Sequence, residues 1–343
     1  MENRQDRYAR QQQFSPIGRD GQTAIEQSSV AVIGCGALGS VAAEILARAG
    51  VGRLRLIDRD IVQWSNLQRQ SLYTESDAQR GVVKSAAAAE QLSQINSDIT
   101  IEPVVVDLTP SNFASAVGNV DLLIDAVDNF PLRFLINDWS LKTSTPWVHG
   151  GCVGATGQVR LFDGSGSPCF RCLVPQPPPA SAVQTCDTAG VVGAATHAIA
   201  SLQCIEALKW LSGNRDRMLP TVQSFDFWSG RHRQIELPPS LSGGCTACDH
   251  RRYEFLDGDA GASMESAVVL CGRDSVQIAG RDSVELAMMA DRWSSLGEVV
   301  QSRFFVRLSI DEKVVTLFRD GRLLVDGTDD IVAAKSLVGR LIG

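Results

Sequence analysis

Nine cysteines punctuate the chain, and four of them form two C-x-x-C pairs, Cys169 with Cys172 and Cys245 with Cys248. Thiolates are soft ligands, and two such knuckles supply four sulfurs to one tetrahedral zinc when the chain between them folds back. The gap from Cys172 to Cys245 is 73 positions, far longer than in a compact zinc ribbon, so a redox pair or unrelated buried thiols are the competing readings. A zinc held by all four is structural, because no coordination position remains for water.

A second set of residues suits phosphate chemistry. Gly34, Gly36 and Gly39 in VAVIGCGALG follow the apolar run 30–33 and precede the alanine-rich stretch 41–49. Between a strand and a helix, such glycines permit the tight turn, the close approach of backbone to a phosphate, and close helix–sheet packing. The helix N-terminus behind them offers N–H groups and a positive dipole end to an anion. Beyond Gly50 and Gly52, the run RLRLI ends in Asp58, 19 positions past Gly39, where an acid is placed for a ribose hydroxyl. The polar stretch 58–84 holds Asn66, Arg69, Gln70 and Lys84. Long loops at the carboxyl ends of parallel strands are where ligands sit, and an arginine and a lysine there suit the charge of a triphosphate. Asp125, Asp128 and Asn129 follow a further apolar run; on local grounds they orient a metal or substrate, or else cap the next helix.

These groups need an α/β framework, a Rossmann-like mixed sheet with helices on both faces. Strands are expected at 53–57, 101–106, 121–126 and 157–162, in TPWVHGGCVG, and around VQSFDFWSG and HRQIEL; helices are expected at 85–95, 131–141 and 191–211. His197, in the last of these, reads as a packed side chain. Residues 1–29 are polar and read as helical, broken at Pro16 and Gly18, with Arg7 and Arg10 as surface charges on local grounds. The proline-rich PQPPPASAVQTCDTAG cannot join a sheet or a helix interior, so it is a loop or crossover, and it carries Cys186.

The expected division is 1–250 and 251–343, the second part a small α+β domain. It shows strands at 268–270 and 276–278, a helix from about Arg281, an alternating strand at 303–310, a hairpin turn at Asp320-Gly321 and a helix at 331–342. Cys271 reads as a strand-end core cysteine rather than a reactive thiol. A chain of 343 residues, 44% of them hydrophobic, supports one large and one smaller domain. The formal net charge of -7 argues against non-specific nucleic-acid binding, so a phosphate site must be local. No apolar leader segment and no membrane-length apolar run is visible, and the odd cysteine count speaks against a disulfide scaffold; the expectation is a soluble, cytoplasmic protein without membrane or nucleic-acid partners.

In order along the chain, RYARQ, GCGALGS, AGVG, LIDRD, SNLQRQ, GxxK, DAVDN, GQV, CFRCL, TCDTAG and CTAC resemble the ThiF/MoeB/HesA family of adenylyltransferases, bacterial relatives of ubiquitin-activating enzymes. The resemblance spans residues 7–250 and rests most on SNLQRQ with the two cysteine pairs. It implies a homodimer with an eight-stranded mixed sheet that uses ATP and magnesium. The implied reaction adenylates the C-terminal glycine carboxylate of a ubiquitin-like sulfur-carrier protein (ThiS or MoaD type, ending in Gly-Gly), for thiamine or molybdopterin sulfur incorporation. By motif position, Gly34, Gly36 and Gly39 line the nucleotide, Asp58 holds the ribose, Asn66, Arg69 and Lys84 contact phosphates, and Asp128 binds magnesium. Arg10 is implied as an arginine finger reaching a partner subunit's site, and Cys186 matches a cysteine that links covalently to the carrier in some members. Such chemistry suits the residues: a carboxylate attacking a phosphorus needs cations and oriented N–H donors, not a side-chain nucleophile.

GVVK lacks the proline often found before the family's lysine. The C-terminal part shows no rhodanese-type cysteine loop, so a separate persulfide donor is expected, and a carrier-docking or dimer-supporting role is inferred for that part. The rivals are an NAD-dependent dehydrogenase, which leaves SNLQRQ and Lys84 unexplained, a catalytically silent scaffold, and the tRNA-modifying, carboxylate-activating dehydratases of the same superfamily. The acidic composition and the cysteine knuckles argue against the last.

Overall fold

The run SVAVI has no polar face to offer water, and it becomes the buried β1 (Ser29–Ile33), with parallel neighbours on both sides. The computed structural model describes residues 7–179, 186–237, 244–258, 267–269, 274–280 and 283–342. It divides into two units, Met1–Gly261 and Ala262–Gly343.

In the first unit β1 is followed by β2 (Arg53–Ile57), β3 (Thr100–Val104), β4 (Leu122–Asp125), β5 (Trp147–Val153), β6 (Thr156–Phe162), β7 (Val222–Asp226) and β8 (Arg231–Ile235). They form one eight-stranded sheet in the order β3-β2-β1-β4-β5-β6-β7-β8. The first five pair in parallel, and β6, β7 and β8 continue antiparallel. Chain direction along the sheet reverses between β1 and β4, the kind of switch point that opens a crevice at the strands' carboxyl ends. Register sharpens this: Ile33 stands opposite Ile57 and Asp125, so Gly34, Asp58 and the segment 126–129 leave the sheet together.

Alternation along the strands feeds two cores. Val30, Val32, Leu54, Leu56, Leu122 and Ile124 face one core, shared with the helices Gly39–Ala49, Lys84–Ile95 and Gly193–Leu211. Ala31, Ile33, Ile57 and Leu123 face the other, against the helices Phe113–Val117 and Phe130–Thr143. Helix Phe130–Thr143 starts where Asn129 accepts the Leu132 N–H at 3.0 Å. Further along, its buried Asn137 and Asp138 accept the N–H groups of Phe170 at 2.9 Å and Phe255 at 3.0 Å, which ties the cysteine-bearing segments to the sheet.

Differences from the sequence expectations are local. The strand expected at 101–106 closes at Val104, and the described part of 1–29, residues 7–29, gives two short helices, Ala9–Gln13 and Gly18–Gln27. A helix at Glu75–Arg80, capped by Thr74 and Asp77, interrupts the long polar stretch.

In the second unit β9 (Ala267–Val269), β10 (Ser275–Ile278), β11 (Glu298–Gln301), β12 (Phe305–Ile310), β13 (Lys313–Phe318) and β14 (Leu323–Asp326) form an antiparallel sheet in the order β11-β12-β13-β14-β10-β9. Its core joins Val306, Leu308, Val315 and Leu317 to helices Leu286–Trp293 and Ile331–Ile342 around the fully buried Trp293. The helix expected from Arg281 begins at Leu286, and the alternating strand begins at Phe305. Cys271 and Arg281 lie outside the described residues. Among the described residues no helix is long and apolar enough to cross a membrane.

Asp138 gives the first unit a pH dependence. Burial raises its pKa to about 6, partly offset by the Phe255 N–H and the Asn137 amide. A raised carboxyl favours folding at acid pH; its contribution is complete below the ordinary value near 4 and is lost as pH rises through about 6, a swing of about 3 kcal/mol. Asp138→Asn removes that swing. Relative to the natural protein, its urea midpoint is expected to improve from pH 4.5 to about pH 6.5 and then to level off; a constant difference from pH 4.5 to pH 7.5 contradicts the assignment.

Candidate functional site

The glycine turn is held by its own packing at two of three positions. Gly34 leaves β1 at φ +89, where a Cβ would press on the Ala126 carbonyl, and a Cβ on Gly39 would overlap the Gly34 carbonyl oxygen. Gly36 is different, because the nearest atom to a Cβ there is Gln70 Nε2 at 3.8 Å. Nothing inside the protein demands a glycine at that point, and the space beside it suits an approaching phosphate. The helix Gly39–Ala49 has no side-chain N-cap; the Ser40 N–H is taken by the Gly36 carbonyl at 3.0 Å, which leaves the Gly39 and Val41 N–H groups for an anion. Buried Gln70 Oε1 and Ser40 Oγ have no partner among the described residues. Tyr73 braces the turn by donating its hydroxyl to the Cys35 carbonyl at 2.7 Å.

Charged groups gather at the ends of β2 and β3. Asp58 accepts the Cys35 N–H at 2.6 Å and the Asp60 N–H at 2.7 Å. Burial raises its pKa, with Lys84 pulling the other way. Lys84, 4% exposed, opens the helix Lys84–Ile95 and pairs with Asp60 at 3.1 Å. Arg59 forks both oxygens of Asp107, at 2.9 and 3.0 Å. Burial of that guanidinium is outweighed by Asp107 and Asp60, and Asp128 adds to the same field, so Arg59 is held firmly charged. Asp128 itself is exposed, one residue before the cap Asn129.

The remaining expected residues are placed as follows. Asn66 is buried and turns its oxygen to the Gln63 N–H at 3.0 Å, closing a capping box around Trp64–Asn66. Arg69 donates to the Ser65 carbonyl at 2.8 Å. Arg10 is exposed on the helix Ala9–Gln13 and reaches Gln13 at 3.4 Å, not the glycine turn. Cys186 opens the helix Cys186–Ala189; its side chain and residues 180–185 lie outside the described set.

Of Asp125, Asp128 and Asn129 at the end of β4, it is Asn129 that takes the capping role. Asp125 is fully buried; its Oδ2 meets His149 Nδ1 at 2.7 Å and Arg133 Nε at 3.2 Å. Sequence reasoning missed Arg59, Asp107, Arg133 and His149. A usable signal existed for one of them: Arg133 interrupts the apolar stripe of a helix that also buries Asn137 and Asp138.

The four cysteines Cys169, Cys172, Cys245 and Cys248 converge, with all sulfurs within 4.8 Å of one another. Cys169 and Cys245 are 3.8 Å apart, and Cys172 and Cys248 are 3.6 Å apart. Zinc–sulfur bonds of ~2.3 Å at tetrahedral angles place sulfurs about 3.8 Å apart, so the set fits zinc. Hydrogen bonding from Cys169 pulls the Cys172 thiol down to about 5, while burial pushes Cys248 up to about 12. Four crowded thiols cannot all ionise without a cation among them.

Fold and site define a doubly wound nucleotide-binding protein with a tetrathiolate centre. The ThiF family matches residues 8–247, and the chain belongs to that family. It is 38% identical over 340 residues to a sulfur carrier protein ThiS adenylyltransferase of Bacillus subtilis, covering 98% of this chain and 99% of that protein. It is 35% identical to the adenylyltransferase and sulfurtransferase MOCS3 of Xenopus laevis, over 78% of this chain and 60% of the relative. A crystal structure of E. coli MccB with ATP superposes with TM-score 0.61 at 20% identity, covering 72% of this chain and 74% of that one, a likeness of fold.

Two expectations follow. Gly36→Ala should leave the unfolding free energy within about 0.5 kcal/mol yet weaken ATP binding at least about tenfold, whereas Gly39→Ala should cost about 3 kcal/mol or prevent folding; calorimetry and urea titration separate the two. Metal analysis should find one zinc per chain. Cys169→Ser or Cys245→Ser should empty the site and lower the thermal midpoint by roughly 10 °C, and a purified protein free of zinc but equally stable contradicts the assignment.

Proposed function

We propose that the protein adenylates the C-terminal carboxylate of a ubiquitin-like sulfur-carrier protein ending in Gly-Gly, using ATP and releasing pyrophosphate. The observation that carries this reading is the glycine turn with room at Gly36 and no side-chain helix cap, beside Asp58 and Asp128 after neighbouring strands and Lys84, which pairs with Asp60 from the start of a helix. The near full-length likeness to a ThiS adenylyltransferase favours a ThiS-type carrier over a MoaD-type one.

In this reading the turn's N–H groups and helix dipole receive the phosphates, and Asp58 holds the ribose. Lys84 moves its ammonium from Asp60 to a phosphate oxygen, with Asn66 and Arg69 on the same chain of phosphates. Magnesium, held by Asp128, supplies charge neutralisation when bound. One oxygen of the carrier carboxylate forms a bond to the α-phosphorus; the bond to the pyrophosphate oxygen breaks, and its electron pair leaves with pyrophosphate. The cations relieve repulsion between two anions, the main obstacle to this step.

A homodimer completes the site. Tyr8 and Gln11 pin the N-terminal helix to the body through Asn96 at 2.8 Å and the Ala49 carbonyl at 3.0 Å, which leaves Arg10 outward for a second copy. Exposed Val192 and Ile205, at the start and on the outer side of helix Gly193–Leu211, suit the same contact. Cys186 acts after adenylation, in sulfur transfer from a separate persulfide donor.

The test is ATP–pyrophosphate exchange with magnesium and purified ThiS-type or MoaD-type carrier. Exchange with the ThiS-type carrier is expected, and Lys84→Ala and Asp128→Ala should each reduce it by about 100-fold or more. Mixing Arg10→Ala with Asp128→Ala chains should restore part of the activity if Arg10 works across the dimer. No exchange with either carrier, together with retention on tRNA, would overturn the reading in favour of tRNA modification.

A further inference from the structure

A buried cluster stands behind the loop that carries Asp128. Arg133, 9% exposed, donates through Nε to Asp125 at 3.2 Å and through one terminal nitrogen to the Val127 carbonyl at 2.6 Å and the Gly150 carbonyl at 3.3 Å. Asp125 spends its other oxygen on the Val127 N–H at 3.1 Å. Both backbone groups of the residue before Asp128 are therefore held by buried charged side chains. On the other side Asn129 is fixed as the helix cap. Asp128 sits exposed between two pinned neighbours.

Asp125 is oriented in turn. His149, fully buried, meets its carboxylate at 2.7 Å through Nδ1, and Gln158 approaches His149 Nε2 at 3.3 Å. Gln203 holds the Asp125 and Val148 carbonyls at 2.7 and 3.1 Å. The acid–imidazole pair looks like a proton relay, but it has no exposed atom through which to meet a substrate. Burying such charges brings little or no net stability compared with apolar packing. What the cluster does deliver is a single geometry for the backbone at Val127.

We propose that Arg133, backed by Asp125 and His149, is the positioning residue that fixes Asp128 for the metal–nucleotide complex. This rests on the reading above, in which Asp128 holds magnesium. Lysine cannot replace the arginine, since a single ammonium does not reproduce a planar fork shared between a carboxylate and two carbonyls.

The experiment is calorimetric binding of ATP to the full chain, with magnesium and with chelator, for the natural protein, Asp128→Ala, Arg133→Lys, His149→Gln and the double variant Asp128→Ala/Arg133→Lys. Asp128→Ala is expected to keep metal-free affinity and lose the gain that magnesium gives. Arg133→Lys should lose about tenfold of the magnesium-dependent affinity, as loss of an outer partner does at other metal sites, with metal-free affinity within about twofold. His149→Gln should shift the same way by less. The double variant should bind no more weakly than Asp128→Ala alone, because Arg133 acts through Asp128.

Arg133→Lys and His149→Gln binding magnesium–ATP like the natural protein, while Asp128→Ala loses it, would overturn the proposal alone. So would losses that add in the double variant, or an equal loss with and without metal. If Asp128→Ala keeps the magnesium gain, the functional reading of Asp128 fails and takes the proposal with it. Should Arg133→Lys not fold, His149→Gln carries the same comparison.

Discussion

Parallel pairing of β1 with β2 on one side and β4 on the other sets the geometry of everything that follows. With Ile33 level with Ile57 and Asp125, three chain segments with different chemistry leave the sheet at one height. One brings backbone N–H groups, one brings Asp58, Arg59 and Asp60, and one brings Asp128. A one-residue slip of register would turn each strand's apolar residues from one core to the other, so burial on both faces also fixes the site. Packing energy and functional geometry are here the same constraint.

Two cations at this end of the sheet are held by carboxylates before any ligand arrives. Lys84 has Asp60 and Arg59 has Asp107, at distances of 2.9 to 3.1 Å. In a protein of net charge -7, positive groups left alone would be drawn toward many competing carboxylates. Assigned partners keep them in place, and on the proposed reading phosphate oxygens then take Lys84 over. A phosphate gains less from a cation that it must share, but it meets one already in place and loses less to reordering.

Much of the architecture was legible in the sequence because it rests on local signals. Glycine spacing after an apolar run, and cysteines three positions apart, declare themselves within ten residues. The segment between the cysteine pairs was legible only as something that must fold back, and helix Phe130–Thr143 is what receives the chain at its two ends, Asn137 taking Phe170 within the first pair and Asp138 taking Phe255 after the second. Arg59 with Asp107, and Asp125 with Arg133 and His149, were not legible. Those contacts join loop to loop, strand to helix and strand to strand across 8 to 48 positions, and an aspartate at a strand end looks the same in sequence whether it faces a ligand or a buried histidine. Gly36 shows the converse, a residue legible in sequence whose purpose appears only when the structure shows that nothing inside the protein needs it.

Helix Phe130–Thr143 belongs to both halves of this chemistry. Its 14 residues make a rod about 21 Å long. Its first turn follows directly on Asp128, and its middle holds the segments that carry the four cysteines. A strut of this kind spaces the exposed Asp128 from the four-cysteine cluster by one rigid element rather than by a loop.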